Sequence, residues 1–193
     1  MSGIPFSKRF FDISVTLFGL IIISPLMLVI SLLVRVFLGK PVLFRQHRAG
    51  YKGRPFMPYK FRSMTNHTGP DGKLLPDAER LTRFGRFMRA ASLDDLPQLL
   101  NVLTGEMSLV GPRPERPSFV EQLKKDIPFY EIRHTVKPGI TGWAQVRYHY
   151  GASLDDSRRK HQFDLYYVKN NSLFLDMIVL IETVSVIVFR EGQ

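Results

Sequence analysis

The longest uniform stretch of the chain runs from Ile13 to Val34, "ISVTLFGLIIISPLMLVISLLV", 22 residues without a charge. Roughly 20 apolar residues suffice to cross a bilayer core as a helix. Ser24-Pro25 falls near the middle of the run. Proline there removes a helical hydrogen bond and crowds the preceding turn, and a neighbouring serine can re-satisfy the freed backbone. Basic residues flank both ends, Lys8 and Arg9 before and Arg35, Lys40, Arg45 and Arg48 after. Such flanks set no crossing direction and suit two ends on one cytoplasmic side. Each half is about 11 residues, or about 17 Å of helix, which is one leaflet deep. The pattern predicts a re-entrant helix-break-helix hinged at Ser24 and Pro25, in preference to a kinked helix that crosses the membrane.

The C-terminal run "SLFLDMIVLIETVSVIVF" is apolar but broken by Asp176, Glu182, Thr183 and Ser185. Asp176 and Thr183 are seven apart and share a helical face, which leaves a broad apolar face opposite. It reads equally as a core helix and as a helix lying in the membrane interface. Between the two apolar runs the pattern shortens. "PVLFRQHRAGYKGRPFMPYKFRSM" predicts a hairpin around Gly50 and Gly53, and "HTGPDGKLLPDAE" an exposed loop. "RLTRFGRFMRAAS" and "LDDLPQLLNVLTG" predict two helices, the second ending at Gly105, and "EMSLVGPRPERP" a short strand into a rigid loop. A third helix follows in "SFVEQLKKDIPFYEIR", then a Pro-Gly turn in "VKPGITGWAQV", then a helix in "LDDSRRKHQFDLYYVKN". No repeat, low-complexity tract or linker divides the chain. It is expected to be a single membrane-associated α/β domain, mainly α with a small sheet or hairpin, with residues 1–40 the membrane segment and 41–193 the cytosol-facing part.

Charge narrows the partners. Lys and Arg total 27 against 17 Asp and Glu, a net charge of +10 in 193 residues. Anionic partners fit such a balance: an anionic membrane face, a phosphorylated small molecule, or nucleic acid. No phosphate-binding glycine loop and no nucleic-acid motif is present, so nucleic acid is set aside. The chain has no cysteine, which excludes a disulfide framework and thiolate metal sites, and its five histidines fall at no zinc spacing.

The candidate chemistry sits in "RAASLDDLPQLLNVLTGEMSLVGPRPERP". Pro97 suits a first helical turn, which makes Asp94 the expected N-cap and Asp95 the first helical residue, both favoured by the helix dipole. Capping alone accounts for the pair, yet the same placement aims two ionised carboxylates at the helix mouth. An ionised aspartate can attack phosphorus and its neighbour can hold Mg²⁺. Upstream, Arg80, Arg83, Arg86 and Arg89 recur every third residue, a stripe that is either a solvated face or a contact for lipid headgroups. Arg113 is held between Pro112 and Pro114, so its planar guanidinium is offered for bidentate phosphate contact at low entropic cost. Lys137, before Pro138-Gly139, is a second cation on a rigid turn.

At these residues the sequence resembles the bacterial sugar transferases of the monotopic phosphoglycosyl transferase type. The likeness covers nearly the whole chain: "KRFFD" before the apolar run, Ser24-Pro25 inside it, "YKFRSM", "SLDDLPQLLNVLTGEMSLVGPRP", "KPGITGWAQV" and "FDLYYVKN". It implies transfer of a sugar-1-phosphate from a UDP-sugar to a polyprenyl phosphate such as undecaprenyl phosphate, with release of UMP. It further implies Mg²⁺ as cofactor, a place on the cytoplasmic face of the bacterial inner membrane, and a role in starting exopolysaccharide or a related glycan. The resemblance assigns Asp94 as the nucleophile that carries a covalent phosphosugar. Asp95 takes the metal-ligand position, where the family pattern has glutamate, one methylene longer. Arg89, Arg113, Lys137 and Lys60 fall on positions implied to hold substrate phosphate, and Lys137 stands where the family often has arginine. "RYHYGAS" and "SLFLDMIVLIETV" resemble the larger exopolysaccharide initiators, so the chain is expected to be either a natural short form or the catalytic core of a longer protein. Two other readings stay open: a non-catalytic membrane-tethered module for anionic lipid or nucleic acid, and direct transfer with Asp94 only a ligand or base. A homo-oligomer is compatible with each, and the sugar is unspecified.

Overall fold

The computed structural model describes residues 5–148, 151 and 153–189, and side chains as far as Val186. His149, Tyr150 and Ala152 of "RYHYGAS" lie outside the described residues. Helix α1 (Phe6–Phe37) leads into strands β1 (Leu43–Arg45), β2 (Arg48–Ala49), β3 (Pro55–Phe56) and β4 (Tyr59–Phe61). These form the predicted hairpin in two stages. β2 pairs antiparallel with β3 around the Gly50–Gly53 turn, and β1 pairs antiparallel with β4, Leu43 opposite Phe61 and Arg45 opposite Tyr59. Helices α2 (Asp77–Arg80), α3 (Arg83–Ala90) and α4 (Gln98–Thr104) precede strand β5 (Ser108–Val110) and helix α5 (Pro117–Asp126). Strand β6 (Gly139–Thr141), parallel to β5, is followed by α6 (Trp143–Arg147), α7 (Leu154–Asn170) and α8 (Leu173–Phe189). The mainly helical α/β class is as predicted.

Local chemistry sets most of these limits. Thr82 Oγ1 accepts the Gly85 N–H at 3.0 Å and starts α3. Ser153 and Asp156 form a reciprocal capping box on α7. Gly105, at φ 88°, ends α4 in the left-handed region that a Cβ disfavours.

The predicted cap at Asp94 is not formed. Leu93–Asp95 is a 3-10 turn entered through Ser92 at φ 53°, and the residue that caps α4 is Pro97, with no side-chain bond. The pair thus lies on the turn before the helix, free of capping duty. The arginine stripe is also interrupted. Arg80 ends α2, Leu81 is extended and bridges to Met64, and Arg80 Nε donates to the Thr65 carbonyl at 2.9 Å. Only Arg83, Arg86 and Arg89 share α3.

Helix α1 is unbroken where a break was expected. It continues as one helix of 32 residues with Pro25 inside it. Proline cannot serve the carbonyl four residues back, that of Ile21, and Ser24 Oγ donates to that carbonyl instead at 3.2 Å. Both ends of the helix are fixed to the same body. At the N-terminal end Lys8 pairs with buried Asp176 at 2.6 Å. Beside it, Arg9 donates to the Val102 and Leu103 carbonyls at the end of α4, and Asp12 accepts the Leu109 N–H. At the other end Ile30, Val34 and Leu38 pack with Phe61 and Met88. In between, Leu17, Phe18, Ile21, Ile22, Leu26, Leu28 and Val29 are exposed. α1 is the one described helix long and apolar enough to cross a membrane, with a mean hydropathy of 2.8.

The main core joins Val102, Met107, Leu109, Val110, Val146, Tyr167, Leu175 and Val179. α8 packs on the core, one of its two expected readings, and leaves an apolar face exposed. Its polar residues face inward: Asp176 accepts from Tyr167 at 2.6 Å, and Thr183 meets Thr141 at 2.7 Å. Its apolar residues Phe174, Met177, Ile181 and Val184 face outward.

Candidate active site

Strand β4, the 3-10 turn before α4, the last turn of α3 and the loop after β5 converge on the aspartate pair. Asp95 is the better held. Its Oδ1 takes Lys60 Nζ at 2.5 Å and Gln98 Nε2 at 2.5 Å, while Oδ2 faces only the Arg113 guanidinium, at 3.6 Å. Asp94, its immediate neighbour, has no ion pair within 4 Å among the described residues. Burial, and then the adjacent Asp95 charge, push the Asp94 carboxyl up to about 6, against the opposing pull of Lys60 and Arg89. Arg89 is fixed from behind, donating from Nε to Ser63 Oγ at 2.8 Å. The geometry is that of a half-buried, unpaired carboxylate ringed by cations that are themselves positioned.

Of the residues singled out from sequence, Asp94, Asp95, Arg89, Arg113 and Lys60 are brought together. Lys137 is not. Its ammonium lies beside Gly105 and the Arg9 guanidinium, at the opposite end of α4, and α4 with its flanks separates Asp95 from Gly105 by about 15 Å of helix. Burial and then the Arg9 charge lower its proton affinity. Ser24 and Pro25 lie in the exposed middle of α1, remote from the pair in sequence and free of any bond to it.

Sequence reasoning missed three contributors. Gln98 orients Asp95. Arg48 is half-buried, with its proton affinity lowered by burial, and it lies within reach of the charges of Glu115, Arg116, Arg113 and Asp95. Behind Arg113, whose carbonyl accepts from Arg133 at 2.8 Å, lies a buried Arg133–Asp164 pair, also at 2.8 Å. Gln98 had a signal in its place one helical turn after Asp94. Arg133 and Asp164 had none, because they lie on separate elements far apart along the chain.

Two oxygen ligands and no soft donor suit Mg²⁺, which commonly takes one or two carboxylates and completes its shell with substrate phosphates and water. Asp95 Oδ2 and the Asp94 carboxylate are oxygen donors of that kind, and the Asp95 charge that adds to burial in raising Asp94 is one a dication would offset. No cluster of three His, Asp or Glu exists among the described residues, so the protein alone does not build a full cage.

An N-acetylgalactosaminephosphotransferase of Aeromonas hydrophila, named for UDP-N-acetylgalactosamine and undecaprenyl phosphate, is 45% identical over 189 residues, which is 97% of this chain and 45% of that protein. The uncharacterized sugar transferase EpsL of Bacillus subtilis is also 45% identical, over 96% of this chain and 89% of its own length. A UDP-glucose:undecaprenyl-phosphate glucose-1-phosphate transferase of Klebsiella pneumoniae is 43% identical over 92% of this chain and 39% of its length. The chain thus spans less than half the length of two of these three relatives. The bacterial sugar transferase family model matches residues 4–190, and the chain belongs to that family.

Proposed function

We propose that this protein transfers a sugar-1-phosphate from a UDP-sugar to a polyprenyl phosphate such as undecaprenyl phosphate, releasing UMP and starting exopolysaccharide or a related glycan. The observation that carries the reading is Asp94: a carboxylate with no ion pair among the described residues, pushed up to about 6 within reach of the Lys60 and Arg89 charges, with Arg113 on the neighbouring Asp95. At pH 7–8 it is ionised yet poorly solvated, which suits a nucleophile.

In the first step an Asp94 oxygen bonds to the β-phosphorus of the donor. The bond from that phosphorus to the bridging oxygen breaks, and UMP leaves with the electron pair. In the second, an oxygen of the lipid phosphate attacks the same phosphorus, and the Asp94 carboxylate is regenerated. Lys60, Arg89 and Arg113 hold the phosphates and offset the charge that builds on their oxygens. Asp95 and Asp94 would hold Mg²⁺, whose charge, when bound, neutralises the diphosphate.

The membrane elements fit a reaction with one soluble and one leaflet-bound substrate. α1, fixed at both ends to the catalytic body and apolar between, reads as a helix dipping into the cytoplasmic leaflet of the inner membrane, with the outer face of α8 at the interface. The test is UMP release by the purified protein in lipid nanodiscs, given UDP-glucose, UDP-galactose or UDP-N-acetylgalactosamine with Mg²⁺ and undecaprenyl phosphate. Lipid-dependent release with at least one donor is expected, and no release with any of the three sinks the reading.

A further inference from the structure

Asn101 lies one helical turn after Gln98, on the same face of α4. Both side chains are buried, Gln98 4% exposed and Asn101 0%. A buried amide is costly unless it is bonded, and that of Asn101 is bonded at both ends. Its Oδ1 accepts the Tyr59 N–H at 2.8 Å, and its Nδ2 donates to Glu106 Oε2 at 2.8 Å. These partners fix which end of the amide is which, because a backbone N–H donates and a carboxylate accepts. Thr104 Oγ1 donates to the same Glu106 oxygen at 3.2 Å and helps to hold it. Val102 beside Asn101, and Met107, whose N–H its carbonyl accepts, are equally buried and apolar. Packing alone therefore does not call for an amide here.

The bond to Tyr59 reaches the active site in one step along the chain. Tyr59 opens strand β4, and the next residue is Lys60. That strand belongs to a two-stranded ribbon whose partner β1 is exposed along its whole length, and such a ribbon is marginal on its own. Phe61 anchors β4 on one side, packed with Val34 and Met88. Side chains alternate across a strand, so Lys60 points away from Phe61 and meets Asp95 Oδ1 at 2.5 Å. Asn101 ties the start of the same strand to α4. Gln98 meanwhile donates to the same Asp95 oxygen at 2.5 Å. Two amides on one helical face thus set the two members of one ion pair: Gln98 holds the carboxylate, and Asn101 holds the strand that carries the ammonium.

Lysine has a flexible four-carbon stem, so the place of its charge depends on where its backbone is held. A shift of about 1 Å in a group that meets the substrate costs up to about a hundredfold in rate. We propose that Asn101 is a positioning residue for the transfer: through Tyr59 it sets where Lys60 stands between Asp95 and the donor phosphates. The proposal rests on the reaction proposed above.

The test is a double-mutant cycle of Asn101→Leu with Lys60→Ala, reading kcat/KM for UMP release in nanodiscs, well below the lowest melting temperature of the set. Asn101→Leu should lose about tenfold in kcat/KM when Lys60 is present. It should lose less than about twofold in the Lys60→Ala background, because its effect runs through that ammonium. Asn101→Ser, whose lost volume a water can take, goes through the same cycle should the leucine variant not fold. The same fractional loss with and without Lys60 reduces Asn101 to a structural residue and overturns the proposal, as does an unchanged kcat/KM in the Asn101 variant alone. Wild-type protein that releases no UMP from any donor overturns the reaction itself, and with it the role assigned to Asn101.

Discussion

Replacing Asp94 by asparagine should make the fold more stable at the pH where the enzyme works. The native carboxyl is raised from its ordinary 3.8 to about 6. A raised carboxyl means that the native state holds a proton more tightly than the unfolded chain does. The contribution of this group is therefore most favourable below about pH 4, falls as pH rises toward 6, and reaches its full cost above that. At about 1.4 kcal/mol per tenfold change in proton affinity, the ionised group costs about 3 kcal/mol. Partial exposure of Asp94 and relaxation around it bring this to about 1–2 kcal/mol. The asparagine side chain is nearly isosteric and carries no charge to desolvate, so at pH 8 the variant should melt about 3–6 °C above wild type, and the two should melt together near pH 4. Differential scanning fluorimetry in detergent at both values reads the difference. A melting point lowered equally at pH 4 and pH 8 refutes the reasoning, because Asp94 would then be a structural partner rather than a strained, unpaired charge.

Three further outcomes follow from the same geometry. Lys60→Ala removes a cation that lowers the proton affinity of Asp94, so the acid limb of the pH–rate profile should move above about pH 6; an unmoved limb contradicts it. Gly85→Ala, which in an open helix would be stabilising, drives a Cβ into the Ser63 carbonyl oxygen, well inside contact distance. It should cost about 3 kcal/mol in urea unfolding, and a neutral result refutes the close approach. Asp164→Asn strands the buried Arg133 charge and should cost about 3–5 kcal/mol, whereas Arg133→Met with Asp164→Leu should recover much of that loss. Urea unfolding of both variants decides it, and equal losses contradict the pairing.

What the sequence made legible was local. A hairpin followed from Gly50 and Gly53 between short apolar runs, and the end of α4 from Gly105. What it hid was the choice between competing local partners and every contact across distance. Pro97 suits a first helical turn, but the left-handed Ser92 sets a 3-10 turn over Leu93–Asp95 that leaves Pro97 itself as the cap and frees Asp94. Arg80 keeps the three-residue spacing of its neighbours, but pairing of Leu81 with Met64 pulls it off their helix. Ser24-Pro25 has the look of a hinge because proline loses a bond, but the serine beside it compensates that loss inside an intact helix. Lys137 resembled a phosphate ligand by its turn, while the parallel pairing of β5 with β6, invisible in a pattern of local periods, carries it to Arg9 instead. α8 showed its two faces in sequence, yet which one points inward depended on Lys8 and Tyr167 being there to pair with Asp176.

The central claim is that Asp94 becomes covalently bonded to the sugar phosphate. The most direct measurement is intact-mass spectrometry of the detergent-solubilised protein incubated with UDP-sugars and Mg²⁺ but no lipid acceptor. The account predicts a mass gain of one sugar phosphate, localised to Asp94, absent in Asp94→Asn and discharged by undecaprenyl phosphate. Lipid-dependent UMP release with no adduct from any donor would contradict it and establish direct transfer to the lipid.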